Sequence, residues 1–266
     1  MSGIKKIMTI FLIFILLFIG NLYIAGAMAT QRMWLILDGF CVIISICLLS
    51  KYKLPDLNKV MITFGLSILV ALSYLPNVMT NPRSMLLNPI ITFIGILAVF
   101  STFDRYHKLA LPFIKNGKYQ LLITVFIGLS IGVLLGTVNL ILAGQPVTFN
   151  FSIYNLLGSF SPAIMEELVM RTLFYALCLH CFKGKLETNG QHLICLFMMV
   201  MPHVLIHTPS LFIQMGVIGG MMNTLIYTVL YGLPFALLQK KQDLSSAMLA
   251  HGIVDFIRFC FVGLPG

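Results

Sequence analysis

The sequence predicts an all-α polytopic membrane protein, a bundle of about eight or nine transmembrane helices. Three observations lead there. Of its 266 residues 59% are hydrophobic and only 9% charged, against about 25% charged in an average soluble domain, and the mean hydropathy is +0.99. Apolar runs long enough to span a bilayer recur along the whole chain. The loops between them alternate between rich and poor in Lys and Arg, the bias expected of cytoplasmic and external connections.

Taken in order, Lys5-Lys6 and the run from Ile7 to about Ala27 resemble a signal peptide, but the apolar stretch is too long for one. It reads as an uncleaved first helix. Further runs lie at 33–50, 59–78, 86–103, 119–143, 152–182, 192–208, 211–238 and 244–262, nine in all. The run 211–238 contains Gly216, Gly219, Gly220, Gly232 and Pro234, so it reads either as one crossing or as partly re-entrant.

Loop charges test the count. Lys5 and Lys6; Lys51, Lys53 and Lys59; Arg105, Lys108, Lys115 and Lys118; Lys183 and Lys185; and Lys240 and Lys241 make thirteen cations on one side, against Arg32 and Arg83 on the other. The bias puts the N-terminus in the cytoplasm and the C-terminus outside the cell membrane. It also favours a single crossing for 211–238, since two would carry Lys240 and Lys241 outside. The polar connection 104–118 divides residues 1–118, about four plain helices, from residues 119–266, about five helices that hold nearly all the unusual polar residues.

The net charge of +9 does not indicate nucleic acid, because the cations sit in short loops without the aromatic–basic interleaving of RNA or single-stranded DNA readers. The six cysteines fall in apolar runs and read as small buried thiols. Cys178 and Cys181 form a C-x-x-C around His180, yet no second ligand pair of the kind zinc needs follows nearby. Asp38, just inside the second run, reads as a solvated or capped acid.

The informative stretch is 162–171, Pro-Ala-Ile-Met-Glu-Glu-Leu-Val-Met-Arg. Ionisable groups at membrane depth cost from a few to more than ten kcal/mol, roughly, and default to function. On an α-helix Glu167 and Arg171 stack four apart, acid before base, with Glu166 turned about 100° away. One Glu is then tied to Arg171 and the other is left for chemistry. The alternative is an ion-pair cluster that only fixes helix packing. Two further pairs follow at i, i+4: His203 with His207, and His251 with Asp255. At about 1.5 Å of rise per residue, Glu166 lies about 25 Å from Lys183, His203 about 18 Å from Gln191, and His251 and Asp255 about 15 and 21 Å from Lys241. All overlap near the middle of a core about 30 Å thick.

A carboxylate, two imidazoles and an Asp in a dry cavity suit water activation. The Glu takes a proton from water, a His orients that water or shares the proton, and the second His and the Asp face the oxyanion or the substrate amide. A peptide bond would be hydrolysed. His207, beside Thr208-Pro209, reads as a boundary histidine, and Arg258 is a candidate partner for Asp255.

These residues resemble the CPBP family of CAAX prenyl endopeptidases, bacteriocin-processing and self-immunity proteins, also called the Abi family of intramembrane proteases. The resemblance rests on Pro-x-x-x-Glu-Glu-x-x-x-Arg, a His about 37 residues on, and His-x-x-x-Asn/Asp in a last apolar helix, and it covers about 119–262. It implies that Glu166 is the catalytic acid–base, that Glu167 and Arg171 support it, and that His203 and His251 are the family's two histidines. Departures are Met199 where the family has an aromatic, Met170-Arg171-Thr172 for Phe-Arg-Gly, and Asp255 for the last-helix Asn. The first two alter packing. An ionised Asp repels an oxyanion, so Asp255 must be protonated, be neutralised by Arg258, or act otherwise.

The expected function is a glutamate-dependent intramembrane endopeptidase acting on a short peptide or a membrane-tethered protein, with the lipid bilayer as its other partner and no nucleic acid. No cofactor is certain. Two His and a Glu can hold zinc with an open position, although no H-E-x-x-H is present, so a divalent metal stays open. One alternative is a non-catalytic membrane scaffold or self-immunity protein of the same family. Another is a proton-coupled transporter, for which inverted repeats are expected and none appears.

Overall fold

The computed structural model describes residues 2–24, 28–77, 82–144 and 148–264, and among these every regular element is helical. In chain order they are α1 (Gly3–Tyr23), α2 (Ala29–Leu49), α3 (Leu57–Ser73), α4 (Pro82–Arg105), α5 (Gln120–Ala143), α6 (Ile153–Gly158), a π-helical run (Pro162–Thr172), α7 (Leu173–Cys181), α8 (Asn189–Ile206), α9 (Pro209–Tyr227), a second π-helical run (Thr228–Gly232), α10 (Leu233–Lys241) and α11 (Leu244–Val262). Ala27 and position 78, the expected ends of the first and third runs, lie outside the described residues.

Among the described residues seven helical stretches are long and apolar enough to cross a membrane: α1, α2, α4, α5, α8, the stretch Pro209–Lys241, and α11. The protein is a multi-pass, all-α membrane protein. Two of the nine expected runs differ. The 17 residues of α3 reach about 26 Å, short of a core about 30 Å thick. The run 152–182 is no single α-helix: α6 ends at Gly158, Ser159 is a turn, and the π-helical run separates it from α7. The run 211–238 is helical throughout but broken at Gly216, whose φ of 72° and ψ of −178° are open to glycine and strained for other residues.

The thiols correct one expectation. All six are free, but only Cys41, Cys178, Cys195 and Cys260 are buried; Cys47 is exposed and Cys181 half-buried. An apolar run in lipid has no inward requirement on every face, so position in such a run does not decide burial.

The chain forms two compact units. The first comprises the described parts of Met1–Leu54, Ala98–Ala110 and Met170–Ala236; the second, those of Pro55–Leu97, Leu111–Val169 and Leu237–Gly266.

In the second unit α5 and α11 lie in close contact along Gly128, Gly132 and Gly136. A Cβ on Gly132 would stand 2.7 Å from Ile253 Cβ and 2.9 Å from the Ala250 carbonyl, and one on Gly128 3.1 Å from the Ser246 carbonyl. Lipid gives helices little hydrophobic reason to associate, so small residues that admit close backbone contact take over. Gly252 does the same on another face of α11, where a Cβ would meet Ala163 Cβ at 3.1 Å. The two faces together fix the rotation of α11. Its N-terminus is fixed too: Asp243 accepts from Ser246 N at 2.8 Å and from Thr124 Oγ1 at 2.6 Å.

In the first unit α1 and α2 pack on α7, α8 and α9, with edge-on contacts such as Phe11–Phe197 at 4.6 Å and Phe18–Phe212 at 5.4 Å. The N-terminus of α8 carries a capping box between Thr188 and Gln191, which satisfies two of the backbone donors a helix start leaves open.

Candidate active site

Glu166 and Glu167 lie on the π-helical run, in which every residue but Pro162's neighbour Ala163 is buried. An α-helical period, with Glu167 stacked on Arg171, does not describe this stretch. A π-helix closes i→i+5 bonds and so takes more residues per turn, and such insertions concentrate at functional sites.

In the second unit both acids reach His251 of α11. Glu167, fully buried, holds His251 Nδ1 at 2.7 Å through Oε1. Glu166 Oε2 stands 3.7 Å from His251 Nε2, and Asp255 Oδ2, one turn further along α11, 3.5 Å from the same nitrogen. A carboxylate accepts hydrogen bonds, so Nδ1 carries a proton toward Glu167 and Nε2 is the nitrogen turned to Glu166 and Asp255. Glu167 is itself held: Gln239 Nε2 donates to its Oε2 at 2.6 Å and to its main-chain carbonyl at 3.0 Å. Arg258 is exposed and makes no ion pair with Asp255 among the described residues.

In the first unit the organising group is Arg171, fully buried. It donates to the Met199 carbonyl at 3.2 Å, to the Gly232 carbonyl at 2.9 Å and to His203 Nδ1 at 3.2 Å, and it lies over the Phe235 ring at 5.8 Å. The Gly232 carbonyl belongs to the second π-helical run, and a Cβ on Gly232 would meet Val200 Cγ1 at 2.6 Å, so glycine is what lets that carbonyl come close to α8. A guanidinium has N–H donors and no acceptor. His203 Nδ1 must therefore accept, which leaves the ring proton on Nε2. That nitrogen lies 3.4 Å from Nε2 of His207. His207 caps the C-terminus of α8, exposed, with Trp34 edge-on at 5.1 Å.

The family model described as type II CAAX prenyl endopeptidase Rce1-like matches residues 148–257. These residues are similar to that family of CAAX proteases. The match is narrower than the 119–262 of the motif resemblance, and Glu166, Glu167, Arg171, His203, His251 and Asp255 all fall inside it. Comparison with curated proteins and with solved structures found no similar one.

Within the matched residues the sequence reading missed Gln239. It is 1% exposed, yet it abuts Lys240-Lys241 at the end of an apolar run and reads as a loop residue. An uncharged amide gives no signal of cost at membrane depth. The only available hint was its place one residue inside the cationic pair. The CPBP family's Asn position, Asp255 here, sits beside His251 as the motif spacing predicts.

Proposed function

We propose that the chain is an intramembrane endopeptidase in which Glu166 activates water. The match of residues 148–257 to a family of CAAX proteases supports intramembrane proteolysis. The observation that carries the finer reading is the Glu167–His251–Glu166 arrangement, two buried carboxylates on the two nitrogens of one ring. Glu167 is committed to holding the ring, which assigns the acid–base work to Glu166.

In this reading Glu166 accepts a proton from water as the water oxygen bonds to the substrate's carbonyl carbon. The carbonyl oxygen takes up the negative charge and is met by N–H or O–H donors, a role for which His251, once Nε2 also carries a proton, and a protonated Asp255 are the candidates in the second unit. Collapse breaks the C–N bond, and the nitrogen leaves with the proton that Glu166 carried, restoring the carboxylate. The family motif adds His203 to the reacting set, and with Arg171 on its Nδ1 it acts as a donor through Nε2. Residues 119–266 form the catalytic core and residues 1–118 supply the remaining helices. The substrate is a short peptide or membrane-tethered protein cut at or near the cytoplasmic side of the cell membrane, with the N-terminus cytoplasmic and the C-terminus external.

Comparative peptidomics of cells carrying the native protein and Glu166→Gln tests this. The native cells should hold cleavage products that are lost in Glu166→Gln at equal membrane yield. Identical peptide profiles at equal yield would sink the reading.

A further inference from the structure

We infer that Gln239 is a positioning residue that fixes the hydrogen-bonding state of His251 through Glu167. This rests on the reading of His251 as part of the reacting set.

Gln239 is buried to 1% exposure while Lys241, two residues on, is exposed. Its amide nitrogen faces two oxygens of the same residue, the Glu167 carboxylate Oε2 at 2.6 Å and the Glu167 main-chain carbonyl at 3.0 Å. Both oxygens accept, so the orientation of the amide is determined: the NH2 group points at Glu167, and its two hydrogens serve one each. The amide thereby locks the side chain of Glu167 against its own backbone. The main-chain carbonyl it holds belongs to the π-helical run, so the same contact also anchors that run where Glu166 and Glu167 project from it.

The consequence is directional. With Oε2 occupied by Gln239, Oε1 is the oxygen presented to His251 Nδ1, at 2.7 Å. A ring whose Nδ1–H is fixed on a carboxylate presents Nε2 to whatever lies beyond, here Glu166 at 3.7 Å and Asp255 at 3.5 Å. Partners behind a functional histidine commonly set its tautomer and ring orientation in this way. Its described hydrogen bonds both go to Glu167, and through Glu167 it reaches His251.

The test is the nitrogen spectrum of 15N-histidine-labelled full-length protein in lipid nanodiscs, with the His251 signals identified by their loss in His251→Asn. In the native protein His251 should show a protonated Nδ1 in a single state. In Gln239→Leu the Nδ1 signal should move toward the average of the two tautomers, as it should in Glu167→Gln, while the His203 signals stay in place. Gln239→Met, which keeps the chain length, is read the same way if Gln239→Leu is not recovered folded. Gln239→Glu, which puts a second carboxylate against Glu167, should shift the signal further. A His251 spectrum unchanged in Gln239→Leu or Gln239→Met, beside a changed one in Glu167→Gln, overturns the inference and leaves Gln239 a packing residue. An unchanged spectrum in Glu167→Gln overturns the relay as a whole. No substrate is needed, so these results stand apart from the peptidomics of Glu166→Gln.

Discussion

His203 and His251 are the same side chain on two buried helices, each with a partner on Nδ1, and the partners have opposite character. In the first unit a guanidinium donates to His203 Nδ1; in the second a carboxylate accepts from His251 Nδ1. The first arrangement puts a proton on Nε2 and makes that nitrogen a donor. The second takes the Nδ1 proton as its hydrogen bond and turns Nε2 toward two more carboxylates. Two histidines that look equivalent in a motif are thus assigned different chemistry by the residue behind each.

The sharpest way to break this contrast is to remove the groups behind the rings. Arg171→Met strips donors from two carbonyls and a ring nitrogen in a fully buried setting. The expected loss is roughly 3–5 kcal/mol, the scale of a broken buried network, seen as a collapse of folded yield in detergent. Glu167→Gln should be milder, about 1–3 kcal/mol, since its amide oxygen can accept from Gln239 while its NH2 turns to His251 Nδ1, which then gives up its proton. Equal yields for Arg171→Met and native protein would show that the guanidinium does not organise the first unit.

How much of this was legible follows from what a membrane penalises. Glu166, Glu167, Arg171, His203, His251 and Asp255 stood out because a charge or an imidazole in an apolar run needs a reason. The eleven-residue π-helical run did not, because its surroundings are apolar on all sides and leave no helical period to read. Gln239 was hidden by being uncharged and next to Lys240. The close contact of α5 with α11 was written in Gly128, Gly132 and Gly136, four apart, but a stripe of glycines does not name the helix it meets. Arg258 shows the opposite failure: its i, i+3 spacing from Asp255 suggested a pair, and the structure turns it outward.

Asp255 sharpens the contrast from the second unit's side. It stands 3.5 Å from His251 Nε2, where a protonated carboxyl is a donor and an ionised one is not. If it acts as a donor, Asp255→Asn should keep most activity, and Asp255→Ala should lose roughly 100-fold, the usual cost of an oxyanion donor. Because Arg258 makes no ion pair with it among the described residues, Asp255→Asn should melt with the native protein and Arg258→Met should leave stability unchanged. A stable but inactive Asp255→Asn would assign the carboxylate itself to the chemistry as a base.

Gly132→Leu perturbs the second unit from the side away from the acids. A Cβ alone would already stand 2.7 Å from Ile253 Cβ, so the larger chain must push α11 aside, at about 1–3 kcal/mol for overpacking. Cleavage should fall with little change in folded yield, because His251 and Asp255 ride on the displaced helix. The 15N signals of His203 should not move. Equal displacement of both histidine spectra would mean that the two rings do not answer to separate partners.

The smallest effect belongs to an acid outside the spans, and it supplies the baseline for the buried ones. Asp56 caps α3: Lys59 N donates to Oδ1 at 3.1 Å, and Lys59 Nζ lies 3.0 Å from Oδ2. The backbone N–H of Lys59, then its side chain, hold the Asp56 carboxyl below the ordinary aspartate value. A folded-state pKa below the unfolded one means that the cap contributes fully above the unfolded value, about 3.9, and is lost as the pH falls through the folded value. Asn caps a helix as well as Asp does but takes up no proton in this range. Asp56→Asn should therefore match the native melting temperature near neutrality and show a shallower decline below about pH 4. Salt should shrink the difference further, since the Lys59 contact is at the surface. Parallel acid limbs for the two proteins would show that the Asp56 cap adds nothing to the acid response and leave it to the other acids of the chain.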